Sequence, residues 1–341
     1  MWQPVSILVT GGCGFIGSNF VNYIFDKWPN SKLVIIDKLD KKSGGTEKNI
    51  FEHIRHSARY KFVKACLSDK QMIVDVLRTF QVDTVLHFAA ITHVDQSFSE
   101  RVSTINTNIL GTVNLLEAIS FDYNGVKRFL HVSTDEVYGD SANCDTPKNE
   151  KSLMDPTNPY SASKAACELI LNAYRHSYKI PSLLVRMNNV YGPRQVCSKL
   201  IPKFILLAIE GKPYPLYGDG QHVRSWIYID DCTEAIKRVV EDGRIGEIYN
   251  IGTDFEITNY SVTLQIHEQI QKFYQRESTS PQFKKIADRP YHDRRYYIDT
   301  RKINNELNWS CKVPFREGLQ KTIKYYIEKY SNTRINTSIR G

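Results

Sequence analysis

The sequence predicts an α/β fold: a doubly wound, mostly parallel sheet with helices on both faces, followed by a smaller C-terminal α/β lobe. Short apolar runs of strand length alternate with helical patterns through the first half of the chain, beginning at Val5–Thr10. After Gly192 the elements become shorter, and loops with Pro and Tyr such as Gly211–Gly220 separate them. We therefore predict a main-sheet domain, a smaller lobe and a flexible tail over residues 1–190, 191–330 and 331–341.

The composition is that of an ordinary globular protein. Of the 341 residues, 41% are hydrophobic and 24% are charged. The apolar runs are strand-sized and the first strand begins by Val5, so we expect neither a transmembrane helix nor a signal peptide. The seven cysteines are odd in number and form no C-x-x-C, which predicts reduced thiols in a cytosol-like compartment and no zinc site.

The net charge of +8 admits a nucleic acid as partner. The basic residues are dispersed singly or in pairs, however, and an anionic small substrate explains the charge as well. We expect neither a nucleic acid nor a membrane as partner.

A glycine-rich turn follows the first strand. Gly11, Gly14 and Gly17 have the spacing G-x-x-G-x-x-G, and a helical pattern through Phe20 and Ile24 comes next. Glycines here permit a tight turn and let a pyrophosphate approach the helix N-terminus. A glycine triplet alone is weak evidence, but strand, turn and helix together predict a Rossmann-type dinucleotide site.

The second strand, Leu33–Ile36, ends at Asp37. An acidic residue about 20 positions beyond the glycine turn suits the ribose hydroxyls of an adenosine. A carboxylate would repel the 2′-phosphate of NADP, so Asp37 favours NAD. Lys38, Lys41 and Lys42 point the other way, and we interpret them as part of a solvated loop.

The alternation of strands and helices continues. Strand-like runs at Lys61–Lys64 and Thr84–Phe88 alternate with helical patterns at Gln71–Phe80 and Ser103–Ser120. Small residues after the second of these strands would let a cofactor lie close to the backbone. Because no metal-ligand spacing is present, we interpret as structural the isolated histidines near strand ends, His87, His93 and His131.

The run Val132–Gly139 reads Val-Ser-Thr-Asp-Glu-Val-Tyr-Gly and follows the strand Arg128–Val132. It places a hydroxyl and two adjacent carboxylates at the carboxyl end of a strand, where open α/β sheets bind ligands. Two neighbouring acids suit a site that takes one proton and gives another. A polar loop with a helix cap is the alternative, and these residues alone do not decide between the two.

Tyr160 and Lys164 begin a helix predicted to end near Tyr178, and their spacing places them on one face. A lysine ammonium and a nicotinamide cation beside the phenol would lower its pKa from about 10 toward neutrality and make it a usable base. An ordinary surface pair has the same spacing. The glycine turn and the Thr134 hydroxyl in the same chain favour the catalytic interpretation.

This combination resembles the extended short-chain dehydrogenase/reductase family, and Ser133–Gly139 is similar to the signature of its nucleotide-diphosphate-glucose 4,6-dehydratases. The resemblance covers nearly the whole chain before the last dozen residues. Its further motifs lie at His87–Asp95, Asn158–Lys164, Asn188–Pro193, Lys199–Pro202, Val223–Trp226 and Asp288–Tyr296.

The resemblance implies an NAD-dependent hydro-lyase that makes a nucleotide-linked 4-keto-6-deoxyglucose, for deoxysugar synthesis of the rhamnose type. Thr134, Tyr160 and Lys164 would oxidise C4, with the hydride passing to NAD+. Asp135 would then protonate the departing C6 hydroxyl while Glu136 removes the C5 proton, and the hydride would return to C6. The NAD+ is regenerated in each turnover and is expected to stay tightly bound.

The resemblance also implies the binding residues. Those facing the nucleotide diphosphate would be Asn189, Lys199, Arg224, Asn259 and Arg289, and guanidinium groups and amides suit a diphosphate. Pro215, Leu216 and Tyr217 would border the base. The other substrate-binding residues would be Thr92, Thr134, Leu200 and His292. The cofactor would contact Gly11, Gly14, Phe15, Ile16, Gly17, Asp37, Lys38, Leu39, Asp40, Cys66, Leu67, Phe88, Ala89, Ala90, Thr107, Ser133, Tyr160 and Lys164.

Three positions depart from the family's pattern. Cys66 follows Ala65 where many members have Gly-Asp, and it cannot bind the adenine amine as a carboxylate would. The loop Lys41–Gly45 lacks the usual Tyr, so its adenosine contacts are expected to differ. Tyr291 stands where bacterial members usually have Gly, and we expect it to narrow the pocket.

Alternatives stay open. A 4-epimerase or decarboxylase of the same family would share Thr134, Tyr160 and Lys164 without needing the two acids, and a non-enzymatic dinucleotide-binding protein would often lack one of the three. The segment Asn188–Asp231 resembles plant UDP-rhamnose synthases, which favours UDP-glucose over dTDP-glucose. Family members are commonly homodimers, which suggests one here through the helices at 103–120 and 159–178, although their apolar faces could equally be core.

Overall fold

The computed structural model describes residues 1–277 and 279–338, with side chains described as far as residue 331. The strands are β1 (Ser6–Thr10), β2 (Lys32–Asp37), β3 (Tyr60–Lys64), β4 (Thr84–His87), β5 (Arg128–Thr134), β6 (Ser182–Met187), β7 (Asn189–Tyr191), β8 (Tyr214–Tyr217), β9 (Val223–Tyr228), β10 (Ile248–Ile251), β11 (Glu256–Thr258) and β12 (Phe283–Ile286). The α-helices are α1 (Phe15–Lys27), α2 (Glu52–Arg55), α3 (Lys70–Thr79), α4 (Val94–Ser99), α5 (Arg101–Ile105), α6 (Gly111–Glu117), α7 (Pro159–Tyr178), α8 (Leu200–Glu210), α9 (Ile229–Asp242), α10 (Asn259–Phe273), α11 (Arg301–Leu307) and α12 (Phe315–Ser338).

The main sheet is parallel throughout and has seven strands in the order β10-β6-β5-β4-β1-β2-β3. The chain steps outward from β1 in both directions, so the strand order reverses between β1 and β4. Open α/β sheets bind ligands at such a switch point, beyond the carboxyl ends of the strands. This topology confirms the predicted Rossmann-type fold.

Both faces of the main sheet are covered, which explains why its strands are nearly continuous apolar runs. One cluster of buried side chains joins the sheet to α1 and α9, as at Phe20 and Ile236. A second cluster joins the other face to α3, α6 and α7 through Leu77, Leu115 and Leu171.

The smaller lobe consists of a three-stranded sheet, β11-β9-β7, and a parallel pair, β12-β8. Helices α8, α10 and α12 pack against these strands. Strand β10 lies beyond residue 190 in sequence but pairs with β6 in the main sheet. The lobe therefore emerges from within the main-sheet domain, and the boundary at residue 190 stays a prediction.

The helix predicted over Ser103–Ser120 is interrupted by two π-helical segments, Asn106–Leu110 and Ala118–Asp122. The first has a visible use, because the side chain of Asn108 bonds both the amide and the carbonyl of Ile91, at 2.7 and 3.1 Å. It also donates to the Ser163 hydroxyl on α7 at 2.9 Å. The wide turn thus ties the loop after β4 to α7.

The predicted tail falls partly on α12, whose backbone is helical to Ser338, and residues 339–341 lie outside the described part of the chain. Among the helices of the described residues, none combines the length and the apolar character needed to span a bilayer.

Candidate active site

The glycine turn between β1 and α1 has the close packing that a phosphate cradle needs. Gly11 has φ of +69°, and a Cβ there would lie 2.7 Å from the backbone nitrogen of Ala89. A Cβ on Gly17 would lie 2.4 Å from the carbonyl oxygen of Gly11. No side chain can be accommodated at either position, so the backbone at the start of α1 stays open to a ligand.

Asp37 ties the end of β2 to this turn. One carboxylate oxygen accepts a hydrogen bond from the Cys13 amide at 2.9 Å, and the other accepts one from the Leu39 amide at 2.8 Å. Burial raises the pKa of Asp37 above its usual range. Asp37 lines the adjoining cleft, and its remaining lone pairs could accept hydrogen bonds from ribose hydroxyls.

A cleft of about 400 Å³ extends from Asp37 to Tyr160 and Lys164. The predicted cofactor residues line it, with the exception of Leu39, which packs against the core while its amide donates to Asp37. Cys66 is exposed in its wall. The sequence-based prediction did not include several further lining residues: Ser43, Gly45, Asn106, Val132, Met187, Gln195 and Val196.

A second cleft of about 290 Å³ adjoins the first and shares Tyr160 and Ser133 with it. All of the predicted substrate residues and Thr134, Asp135 and Glu136 line this cleft. Tyr291 is not among the lining residues, and it is 52% exposed. The expected narrowing by Tyr291 is therefore not seen. Lining residues that sequence reasoning missed include Asp95, Asn188, Trp226 and Tyr296.

Thr134 ends β5 and caps a 3₁₀ turn, Asp135–Tyr138. Its hydroxyl accepts from the Glu136 amide at 3.3 Å and donates to Asp135 at 3.2 Å. The other oxygen of Asp135 accepts from the Asn188 side chain at 2.8 Å. Thr134 is therefore a helix cap, as the polar-loop interpretation predicted. The same cap also holds the side chains of Asp135 and Glu136 in a cleft, as the site interpretation predicted.

The two acids have different surroundings. Asp135 is 2% exposed, and burial together with the charge of Glu136 raises its pKa to about 7, although Asn188 and Thr134 act in the opposite direction. Glu136 is half-buried and accepts from the Asn158 amide at 3.3 Å and the Tyr296 hydroxyl at 3.4 Å. Asp135 can therefore hold a proton near neutral pH while its neighbour accepts hydrogen bonds.

Helix α7 begins with a capping box, in which Asn158 and Ser161 bond each other's backbone amides, and this fixes the turn that carries Tyr160. Tyr160 is 7% exposed; burial and the charge of Glu136 raise its pKa well above the ordinary value. The sequence predicted that Lys164 and a nicotinamide cation lower the pKa of Tyr160. In the protein without cofactor, that pKa is raised instead.

Cationic groups converge on the second cleft. The Arg224 guanidinium is held by the carbonyls of Val223 and Asp293, at 2.7 and 2.9 Å. Arg289 donates to Asp95 at 2.7 Å. Burial lowers the pKa of Lys199 to about 8. These groups, spread over 90 positions of the sequence, form one site for an anion.

Within the described ranges, one group could hold a metal ion: His222, Asp288 and His292 offer three ligand atoms within 4.8 Å of one another. The hydrogen bond of 2.6 Å between His292 and Asp288 already accounts for their approach. Burial and the charge of Arg289 lower the pKa of His292 to about 3. The same positive field disfavours a divalent cation at this point.

This fold with its two adjoining clefts is that of the short-chain dehydrogenases/reductases. Residues 8–322 match the family model described as GDP-mannose 4,6 dehydratase, and the chain belongs to that family.

Similar proteins of known class support this assignment. A trifunctional UDP-glucose 4,6-dehydratase/3,5-epimerase/reductase of Arabidopsis thaliana is 40% identical over 96% of this chain, which spans about half (48%) of that relative. The dTDP-glucose 4,6-dehydratase of Salmonella typhimurium is 40% identical, over 95% of this chain and 93% of its own length. The structure of a dTDP-glucose 4,6-dehydratase from Streptomyces venezuelae with NAD bound has a TM-score of 0.88 at 37% identity, covering 96% of this chain and 98% of that one.

The raised pKa of Asp135 predicts a pH-dependent stability for the variant Asp135→Asn. The ordinary pKa is 3.8 and the folded value about 7, so between these values the unfolded chain releases a proton that the folded protein keeps. The part of the burial cost that comes from ionisation is therefore absent well below pH 3.8 and grows as the pH rises to 7. The stability gained by Asp135→Asn should grow over this window, to at most about 4 kcal/mol.

Urea unfolding of both proteins at pH 4.5 and pH 8 measures this gain. The matched control is Asp75→Asn, at an exposed position on α3. A gain that is the same at both pH values would show that Asp135 is not buried in its protonated form.

Proposed function

We propose that the protein is an NAD-dependent nucleotide-diphosphate-glucose 4,6-dehydratase, which converts its substrate to the 4-keto-6-deoxy sugar with loss of water. The observation that carries the proposal is the pair Asp135–Glu136, one acid buried and one half-buried, in a cleft that also contains Thr134 and Tyr160. Elimination of water needs a proton donor and a proton acceptor together, and this pair supplies both.

NAD+ would lie in the cleft between the glycine turn and Lys164, with Asp37 at its adenosine end. When bound, it supplies the oxidant for C4 and later the reductant for C6. The turn fits the group because Gly11 and Gly17 have no room for side chains. Ser133, Tyr160 and Lys164 border the end of the cleft nearest the second cleft.

In the oxidative half-reaction, Tyr160 takes the proton of the C4 hydroxyl and Thr134 holds that hydroxyl by a hydrogen bond. Tyr160 must be ionised to do this, and burial alone opposes ionisation. The charge of Lys164 and, once NAD+ is bound, that of the nicotinamide ring would favour the phenolate, because opposite charges stabilise the charged form.

In the elimination half-reaction, Glu136 removes the C5 proton, which the new C4 ketone has made acidic. Asp135, protonated near neutral pH, gives its proton to the departing C6 hydroxyl, and water leaves. Glu136 then returns a proton to C5. At the end of the cycle Asp135 is deprotonated and Tyr160 is protonated. Before the next turnover, Asp135 must therefore regain a proton and Tyr160 must lose one.

The double variant Asp135→Asn/Glu136→Gln tests the proposal. We expect loss of dehydration by at least about a hundredfold, since general acid and general base each contribute about 10²–10⁴-fold. Oxidation at C4 should persist, because Tyr160, Thr134 and Lys164 are retained, and it should appear as NADH absorbance at substoichiometric to stoichiometric amounts.

Mass spectrometry of the sugar nucleotide reports the loss of one water. Conversion of substrate by the double variant at the wild-type rate would refute the assignment to the two acids. An epimerised product without loss of water from the unmodified enzyme would favour a 4-epimerase instead.

We propose UDP-glucose as the preferred substrate, on the similarity of Asn188–Asp231 to plant UDP-rhamnose synthases. Uracil and thymine differ by one methyl group, worth about 1–3 kcal/mol in an apolar pocket. The discrimination is therefore expected to be modest: kcat/KM for UDP-glucose should exceed that for dTDP-glucose by about 10-fold, measured with both substrates on one preparation. A preference for dTDP-glucose would contradict this proposal and leave the dehydratase proposal intact.

We further propose a homodimer in the cytosol. Helices α5 and α7 and the π-helical segments between them present large apolar side chains to solvent. These include Val102 at 71%, Leu110 at 52% and Leu169 at 60% exposed. Such a surface suits an isologous helix interface. All seven cysteines are unpaired, which agrees with a reducing compartment.

A further inference from the structure

We propose that His131 is a positioning residue for the reaction: its Nε2 atom accepts a hydrogen bond from the Lys164 ammonium and holds that charge beside the cofactor cleft. The role of Lys164 rests on the proposed function, but the contact and its consequences do not. This positioning role revises the expectation from the sequence that His131 is structural.

The contact is buried on both sides. His131 lies in β5 with no exposed surface, and Lys164 lies on α7 and is 3% exposed. Lys164 Nζ is 3.2 Å from His131 Nε2, and within the described residues no second hydrogen bond of Nζ is present. A buried ammonium must be compensated by its neighbours, so this acceptor matters.

The chemistry of the donor fixes the protonation of His131. An ammonium has hydrogens to give and no lone pair, so Nε2 of His131 must accept and its proton must reside on Nδ1. In the described part of the chain, that Nδ1 is buried and has no hydrogen-bond partner. Leaving this N–H group unpaired in the core costs free energy. The hydrogen bond that Nε2 accepts from Lys164 offsets part of this cost.

A neighbouring histidine provides an internal comparison. The hydroxyl of Thr112 donates to the Asn108 carbonyl at 2.6 Å, so it accepts from His87 Nε2 at 3.0 Å. His87 Nδ1 then accepts from the Thr10 hydroxyl at 2.7 Å. The rings of His87 and His131 are 5.2 Å apart, yet the structure assigns them opposite tautomers.

The surrounding charges keep His131 neutral and leave Lys164 sensitive to its loss. Burial, Lys164 and His87 all lower the pKa of His131. Burial lowers the pKa of Lys164, while Cys167 and Glu168 raise it. Glu168 is itself engaged by Arg186 at 2.6 Å. The titratable and charged groups around the contact are Tyr160, Cys167 and Glu168 on α7, His87 on β4, His131 on β5 and Arg186 on β6.

The first experiment needs no substrate and uses the full-length protein. With ¹⁵N-labelled histidine, ring nitrogen shifts should show His131 protonated on Nδ1 and His87 protonated on Nε2. The two signals are assigned with the variants His131→Gln and His87→Gln. A His131 ring protonated on Nε2 would overturn the proposal, because that nitrogen could not then accept from Lys164.

The second experiment titrates Lys164 in protein labelled with ¹³C at lysine Cε. Removing the acceptor in His131→Leu should lower the apparent pKa of Lys164 by one pH unit or more, a tenfold change in its proton affinity. His131→Gln, which can place an amide oxygen near the former Nε2, should restore most of the difference. The matched control His87→Leu removes an equally buried imidazole that does not touch Lys164, and it should leave the titration unchanged.

Equal titration of Lys164 in His131→Leu and His87→Leu would also overturn the proposal. If His131→Leu does not fold, His131→Gln and the tautomer measurement on the unmodified protein still decide it. As a functional readout, the alkaline limb of C4 oxidation should move to lower pH in His131→Leu, measured as NADH in the Asp135→Asn/Glu136→Gln background. That background removes the titration of Asp135, and failure of the dehydratase assignment would leave the two NMR results standing.

Discussion

The burial of one carboxyl group at the end of β5 is the constraint on which the candidate site depends. Asp135 and Glu136 are adjacent in sequence, and in water they would have similar proton affinities. The 3₁₀ turn after Thr134 leaves Asp135 2% exposed and Glu136 half-buried. Burial and the charge of Glu136 raise the pKa of Asp135, and this difference in surroundings suits the acid and base roles that we propose for the two groups.

Strand β5, which leads into the turn with these acids, is held by polar contacts to α7 and β6. Ser133 bonds Glu168 on α7, and Glu168 forms an ion pair with Arg186 of β6 in which both side chains are at most 4% exposed. The Arg186 guanidinium also lies 4.6 Å from the centroid of the Tyr138 ring. A buried pair is weak evidence of stability, but it defines the relative placement of the elements that it joins. Here it relates β5, β6 and α7, which carry Thr134, Asp135, Tyr160 and Lys164.

Much of this arrangement could be predicted from local sequence. The alternation of apolar runs with helical patterns gave the parallel sheet, because strands buried on both faces leave such runs. The glycine turn and the polar run Val132–Gly139 each follow a predicted strand, and they indicated a ligand site there because open α/β sheets bind ligands at the carboxyl ends of their strands. The cofactor and substrate residues that came from the family resemblance line the two clefts, apart from Leu39.

Other features had no local signal. The π-helical segment Asn106–Leu110 differs from an α-helix by one residue per turn, which a periodicity of about 3.6 does not resolve. Strand β10 joins the main sheet from the far side of the smaller lobe, a contact between distant parts of the chain. The contact of His131 with Lys164 spans 33 positions, and the raised pKa of Tyr160 depends on burial. Both follow from tertiary structure only.

The proposed division of roles between Asp135 and Glu136 is tested most directly by the pKa of Asp135. It is measured from the ¹³C shift of the Asp135 carboxyl carbon in the protein without substrate, and the signal is assigned with Asp135→Asn. We expect a midpoint near 7, and a lower one in Glu136→Gln, because the charge of Glu136 contributes to the raised pKa of Asp135. A midpoint near 4, the ordinary value for an aspartic acid, would contradict the division of roles between the two carboxyl groups.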